Sequence, residues 1–406
     1  MKKTELRRYA KLIVWGAGVK KGLPVLILST LDQPDFTTMV VEEAYKAGAS
    51  SVVVRWNHTP TIRMDVKYQS EEELTKVPEW RVVRASNEAD LLPVQINLRS
   101  VNPSGMQGVD QKKSFMRNKA VNTALKPHSE RKKGKNQTCL AGVPNKAWAR
   151  KVFPGVRTSV AEEKLWRAIL HAARCTEDPI AEWEAHNADL HKRCEYLNSL
   201  ELDSVRFYAS NGTDLTMTLI PESRFLGGAK TAPSGNQFNA NIPTEECFIT
   251  PHKDKTEGIV YSTMPWCWNG RIMEGCWLRF HEGKVVEFGA DSNVEMMEMM
   301  LNLDEGASYL GEFALVPWES PINQAGVLFY DTLYDENARC HLALGSGFDR
   351  CVIGYEELTK DQIKERGLNR SMLHHDFMIG TEDLNVDGIT ASGEIIPIFR
   401  NGTWAF

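Results

Sequence analysis

The sequence predicts an α/β protein in two parts: an N-terminal α/β domain with a parallel sheet, followed by a β-rich α+β domain. Three observations predict it. Residues 24–31 (PVLILSTL) form a short apolar run with the composition of a buried strand, residues 35–48 carry a helical pattern ending at Gly48, and residues 51–57 form a second strand. Strand, helix and strand in that order build a parallel sheet. After about residue 200 the texture changes. Residues 204–220 (SVRFYASNGTDLTMTLI) alternate around Asn211-Gly212, a strong short-range hairpin signal. Residues 266–290 repeat the pattern, with turns expected at Asn269-Gly270 and Glu282-Gly283, and a helix is expected near 292–303. The expected domains are therefore 1–200 and 201–406.

The N-terminal elements follow in order. The first eighteen residues are basic and then apolar, like a secretion leader. Arg7, Arg8 and Lys11 interrupt the apolar part, and no small-residue cleavage site follows. An amphipathic helix is the expectation. Gly16, Gly18 and Gly22 invite a dinucleotide-loop reading, but the third glycine of that motif falls on Lys21. The stretch also joins a helix to a strand, the reverse of what the motif requires. Residues 112–135 hold nine Lys or Arg against a single Glu130. With little aromatic interleaving, they read as a solvated helix face and loop. Ser159 and Glu162 have capping-box spacing at the head of a helical region running to about 200. Trp166, Leu170, Trp183 and Leu190 are its expected core stripe.

Composition narrows the class. The chain has 406 residues, 42% hydrophobic and 25% charged, the balance of a soluble globular protein. A net charge of −5 gives no reason to expect nucleic acid or an anionic membrane as partner. No apolar run reaches the roughly 18 residues of a membrane helix, and the expected location is cytoplasmic. Eight cysteines are scattered with no C-x-x-C pair, so free thiols are expected and a thiolate zinc site is not.

Chemistry concentrates in the second half. Four segments place acids or histidines inside apolar or tightly turned sequence: NIPTEECFITP (241–251), LGEFALVPW (310–318), DENARCHLALGSGF (335–348) and HHDFMIG (374–380). Residues i and i+2 of a strand share a face, so His374 and Asp376 should point one way and His375 the other. Each such residue taken alone is ordinarily a hydrogen-bonded core group. Together, two histidines and several carboxylates without thiolate suit zinc, cobalt or manganese. More than two carboxylates suit a pair of ions around a bridging group.

At these segments the chain resembles the M29 family of metallo-aminopeptidases, the aminopeptidase T and aminopeptidase S group. PNKAWARKVFP (144–154), NIPTEE, GEFALVP, DENARCHLALG, DFMIG and the closing PIFRNGTWAF carry the resemblance, in order and over nearly the whole chain. The resemblance implies a homodimer with two divalent ions per subunit, usually zinc or cobalt, that removes single residues from peptides with a free N-terminus. It implies Glu246, Glu312, His341, His374 and Asp376 as metal ligands around a bridging water or hydroxide. Glu245, beside a ligand, is the candidate general base, although alternation points it away from Glu246. One departure stands out. The family usually has tyrosine seven residues after the HLALG histidine, and this chain has Phe348. A tyrosine there can donate a hydrogen bond to developing negative charge. That loss keeps an alternative in view: a mononuclear non-haem iron ring-cleaving dioxygenase on the same fold, using His341, His374 and Asp376.

Overall fold

The computed structural model describes residues 1–268 and 271–406, so the turn expected at Asn269-Gly270 lies outside the described residues. The chain divides into two compact units. The first comprises Met1–Glu184 and Ala229–Pro243, and the second Ala185–Gly228 and Thr244–Phe406. A single cut at residue 200 differs from this division in two ways. The boundary falls inside a helix, and a short excursion at 229–243 returns to the first unit.

In the first unit the β-α-β reading holds. Strand β1 (Pro24–Thr30), helix α2 (Pro34–Lys46) and strand β2 (Ser51–Asn57) are followed by β3 (Val94–Arg99) and β4 (Thr138–Gly142). A two-residue strand of the excursion, β5 (Asn241–Ile242), completes a parallel five-stranded sheet in the order β5-β4-β3-β1-β2. Helix α1 (Lys3–Gly16) is amphipathic as expected. It buries Tyr9, Leu12 and Ile13 at helical spacing, and the Tyr9 hydroxyl donates to the Gly142 carbonyl at 3.0 Å. Gly18 has φ +68° where the chain leaves that helix, the left-handed conformation glycine adopts without strain. Helix α3 (Gln111–Lys132) carries most of the basic run and buries no residue, a solvated face as read from composition.

The region 158–200 departs from expectation. Helix α5 (Thr158–Ala172) begins one residue before Ser159 and its N-cap is Arg157, with no side-chain cap, so the capping box does not form. Arg174 turns left-handed at φ +49°, and helix α6 (Pro179–Ser199) starts afresh with proline at its first position. Helix α4 (Lys146–Val152) precedes both. The core stripe is as expected: Trp166, Leu170, Trp183 and Leu190 are all buried.

The second unit is built on antiparallel sheets. An eight-stranded sheet contains both expected hairpins among the described residues. Leu202–Tyr208 pairs with Asp214–Leu219 across Asn211-Gly212, and Trp277–His281 with Lys284–Gly289 across Glu282-Gly283. Glu282 and Gly283 have φ +48° and +76°, as a two-residue hairpin turn with right-handed strand twist demands. The helix expected near 292–303 spans Val294–Leu301. A five-stranded sheet contains β6 (Cys247–Ile249), β7 (Leu310–Leu315), β8 (His341–Gly345) and β9 (His374–Met378), in the order β9-β8-β7-β6 and then Leu226–Gly227. Phe313, Leu342, Leu344 and Phe377 of this sheet lie in one large core. All eight cysteines are free thiols. Among the described residues no helix is long and apolar enough to cross a membrane.

Candidate metal centre

Register alone brings the expected ligands together. Across the five-stranded sheet, Glu312 sits opposite Ala343, and Ala343 opposite Asp376. Phe248 sits opposite Ala314, and Ala314 opposite His341. Gly345 sits opposite His374. Directly opposed residues, and residues two apart on one strand, share a face. Glu312, His341, His374 and Asp376 therefore share one face. Glu246 lies two residues before Phe248 and continues that row. The alternate residues Phe313, Leu342 and Phe377 turn to the apolar core. Gly311 is the extra residue of a bulge between Leu310 and Glu312. A Cβ on it would stand 2.4 Å from the Gly345 carbonyl oxygen, so glycine is required for β7 to approach β8 there.

The side chains converge as the register dictates. His341 Nε2 is 3.5 Å from Glu246 Oε2; His374 Nε2 is 3.3 Å from Glu312 Oε2 and 3.4 Å from Asp376 Oδ1. Two groups of three result, Glu246 with Glu312 and His341, and Glu312 with His374 and Asp376. Within each, one ligand atom per residue lies within 4.8 Å of the others, and Glu312 belongs to both. His341 Nδ1 faces the Arg339 carbonyl at 3.2 Å and His374 Nδ1 the Ser346 carbonyl at 2.9 Å. Donation from Nδ1 to a carbonyl points Nε2 at the carboxylates, where the neutral imidazole would offer it as a ligand atom, the arrangement of metal-binding histidines. Nitrogen and oxygen donors without thiolate fit zinc, cobalt or manganese.

The electrostatics describe a site short of positive charge. Burial pushes the Glu312 carboxyl up, and the charges of Glu246 and Asp376 add to it while the His374 bond opposes. For Asp376, burial works upward, but the hydrogen bond and charge of His374 overcome it and hold the group below its usual value. Burial opposes a proton on His374, yet Asp376 and Glu312 retain it and push the imidazole up to about 11. Glu336 was missed in the sequence. Burial raises it well above the ordinary carboxyl value, and the charges of Asp376, Glu246 and Glu312 raise it further, so it feels the field of the cluster. The signal available was an acid five residues before His341 in the same block. A short 3-10 turn, Glu336–Ala338, carries it, and such a turn has no period to read.

The other singled-out residues fall elsewhere. His375 points away from the cluster, as alternation requires. Its ring centroid is 5.3 Å from that of Trp266, and burial pushes its pKa down to about 4. Glu245 is buried with its Oε2 3.7 Å from His186 Nε2, and its amide donates to Asn337 Oδ1 at 2.7 Å. Phe348 stands beside the cluster, its ring 5.1 Å from the His374 ring. The aromatic wall is present and the hydroxyl is not. Tyr355 packs with Ile220, Val352, Ile363 and Leu368, in a separate small core.

A parallel α/β unit, with a second unit whose sheet gathers carboxylates and imidazoles on one face, defines a candidate metallohydrolase. Comparison narrows the class: the chain belongs to the thermophilic metalloprotease (M29) family, whose model matches residues 2–404. It is 38% identical over 405 residues to Aminopeptidase AmpS of Bacillus subtilis (strain 168), covering 99% of this chain and 98% of that protein. It is 35% identical over 408 residues to Aminopeptidase T of Thermus thermophilus, covering 99% and 98%. The solved structure of wild-type AmpT from Thermus thermophilus superposes with a TM-score of 0.92 at 34% identity, covering all of both chains. The iron dioxygenase alternative is left without support. These relatives are aminopeptidases, and Glu246 and Glu312 exceed what a two-histidine, one-carboxylate iron site uses.

Proposed function

We propose that this chain is a metal-dependent aminopeptidase with a dinuclear centre, hydrolysing N-terminal residues from peptides. The observation that carries the reading is Glu312, shared by two imidazole–carboxylate groups on one sheet face. Glu246 and His341 would hold one divalent ion, His374 and Asp376 a second, and Glu312 both. Zinc, cobalt and manganese suit the donors. Such a pair of ions would supply Lewis acidity toward the peptide carbonyl and would acidify a bound water toward neutrality.

The chain's own residues do the rest. The excess of buried carboxylate gives the substrate's free ammonium group its counter-charge, which favours unblocked N-termini. His341 and His374 are held in orientation by the Arg339 and Ser346 carbonyls. Glu245 is assigned the proton transfer to the leaving amine. It adjoins Glu246, and His186 and Asn337 fix its position. The aminopeptidase names of the relatives support the substrate class. We further propose a cytoplasmic homodimer, to be read by sedimentation.

The test is metal content by mass spectrometry on protein purified without chelator, paired with amino-acid release from unblocked and N-acetylated peptides. About two zinc, cobalt or manganese per chain, with cleavage of the unblocked peptide alone, is the expected result. One iron per chain and no cleavage would overturn the reading. For Glu245, the Glu245→Gln variant should lose kcat with ion content intact. Full kcat in that variant would move the proton-transfer role to another carboxylate, Glu336 first.

A further inference from the structure

The first unit contains a crevice that the metal chemistry does not use. Its sheet order places β2 on one side of β1 and β3 on the other. The chain leaves β1 through α2 towards β2, and leaves β3 through α3 towards β4. The two connections depart in opposite directions, so the carboxyl ends of β1 and β3 flank a topological switch point. Open parallel sheets bind ligands in that crevice, because the diverging connections leave a gap there. A cavity of about 370 Å³ lies at this place. It is lined by Asp32 and Gln33 after β1, Asn102 after β3, Lys146 and Arg150 on α4 after β4, and Glu162 on α5. That volume is at the small end of ligand pockets, room for one small molecule.

Two features show what the crevice would take. First, the strand-end loops are braced before any ligand arrives. The Gln33 side-chain amide donates to the Pro144 carbonyl. The Asn145 amide donates to Ser100 Oγ and to the Val101 carbonyl, each at 2.9 Å, while its Oδ1 accepts from the Trp148 amide at 2.8 Å. Preorganised walls reduce the ordering cost of binding. Second, the lining carries two cations, Lys146 and Arg150, and two carboxylates, Asp32 and Glu162, and among the described residues no ion pair joins any of the four. Both signs face one space with neither neutralised by the other. A simple anion would meet Asp32 and Glu162, and a simple cation would meet Lys146 and Arg150. A molecule with both charges satisfies both pairs.

We propose that this crevice binds a zwitterionic α-amino acid, its carboxylate towards Lys146 and Arg150 and its ammonium towards Asp32 and Glu162. Amino acids are the product class of the proposed reaction, so the crevice would sense product. The binding itself does not depend on that reaction.

The test uses the full chain carrying Glu312→Gln, which removes the shared ligand and keeps product binding at the metal centre from being mistaken for the crevice. Calorimetry is run with L-leucine, with N-acetyl-L-leucine (no ammonium), with L-leucinamide (no carboxylate) and with inorganic phosphate. The expected result is saturable binding of one L-leucine per chain, with each of the other three at least tenfold weaker. Adding Arg150→Gln or Asp32→Asn should weaken L-leucine at least tenfold at unchanged melting temperature. Equal binding of L-leucine and N-acetyl-L-leucine, or of phosphate, would overturn the zwitterion and leave an anion site. No saturable L-leucine binding, or binding indifferent to both substitutions, would overturn the site. Neither failure touches the aminopeptidase reading, which stands or falls on metal content and peptide cleavage in the unsubstituted chain.

Discussion

Replacing Glu312 with glutamine separates a metal ligand from an ordinary buried acid. Glu312 is shared by both groups and is 3% exposed. An ion held at ~100 times its Kd stabilises the folded state by about 2.7 kcal/mol, and at ~1,000 times by about 4.1 kcal/mol. With roughly 2–4 °C per kcal/mol for a unit of this size, stripping one ion from the unsubstituted protein should lower Tm by roughly 5–16 °C. In Glu312→Gln that gap should nearly vanish. The ion-free variant should melt close to the ion-free parent, within about 1 kcal/mol, because two effects oppose. The variant loses the 3.3 Å contact to His374, yet His374 keeps Asp376 at 3.4 Å. It also loses the repulsion of Glu312 against Glu246 and Asp376. An ordinary buried, paired acid has no such offset, and breaking such a pair costs about 3–5 kcal/mol. Scanning calorimetry of both proteins, with and without chelator, reads all four values. A variant that keeps the ion-dependent gap, or an ion-free variant destabilised by the full cost of a broken pair, would refute the reasoning.

Further expectations follow from the same geometry. Phe348→Tyr puts a hydroxyl beside His374 and should raise kcat, by up to ~10² if it meets developing negative charge; unchanged kcat and KM would show that this wall does not face the reacting atoms. Gly311→Ala forces a Cβ to 2.4 Å from the Gly345 carbonyl oxygen and should cost about 1–3 kcal/mol, with ion uptake weakened because Glu312 is displaced; wild-type ion content in this variant would contradict the bulge argument. In the ion-free protein His374 is raised from 6.5 to about 11. Its proton therefore stabilises the fold fully below pH 6.5, and that stability is lost as pH rises through about 11. Ion binding needs the neutral imidazole, so the Tm difference between loaded and ion-free protein should widen as pH rises from 6.5 to 9. A difference constant with pH would oppose the ligand assignment of His374.

The parts of the fold legible in the sequence are those whose signal is local. The elements of the β1-α2-β2 unit, the Asn211-Gly212 and Glu282-Gly283 hairpins and the α1 amphipathic face each show within one short contiguous stretch of chain. The excursion at 229–243 does not. Its strands, Lys230–Thr231, Gln237–Phe238 and Asn241–Ile242, have two residues each, too short for any alternation to appear. The capping box failed for a related reason: Ser159 and Glu162 have the required spacing, but the helix starts a residue earlier and places Ser159 inside its first turn. In the site, the opposite directions of His374 and His375 followed from strand alternation alone. The meeting of Glu246 with His341, 95 positions apart in the chain, did not, because no local pattern states which strands are neighbours. Glu336 stayed hidden because a 3-10 turn carries it.

The candidate centre is therefore a property of register more than of any one strand. A slip of one residue between β7 and β8 would turn Glu312 into the core and Phe313 out among the carboxylates. Both ends of that exchange are costly. A buried carboxylate without partners is strongly unfavourable, and exposing Phe313 forfeits about 1.5–3 kcal/mol of apolar burial. The packing of Phe313, Leu342 and Phe377 on one face thus holds Glu312, His341 and Asp376 in place on the other. The Gly311 bulge makes the correction that a regular strand could not. Leu310 pairs with Leu344 and Glu312 with Ala343, so one extra residue sets Glu312 on the face where both imidazoles wait. Core and centre share the same strands, and a cavity cut at Leu342, on the core face of β8, should loosen the carboxylates as well as the fold.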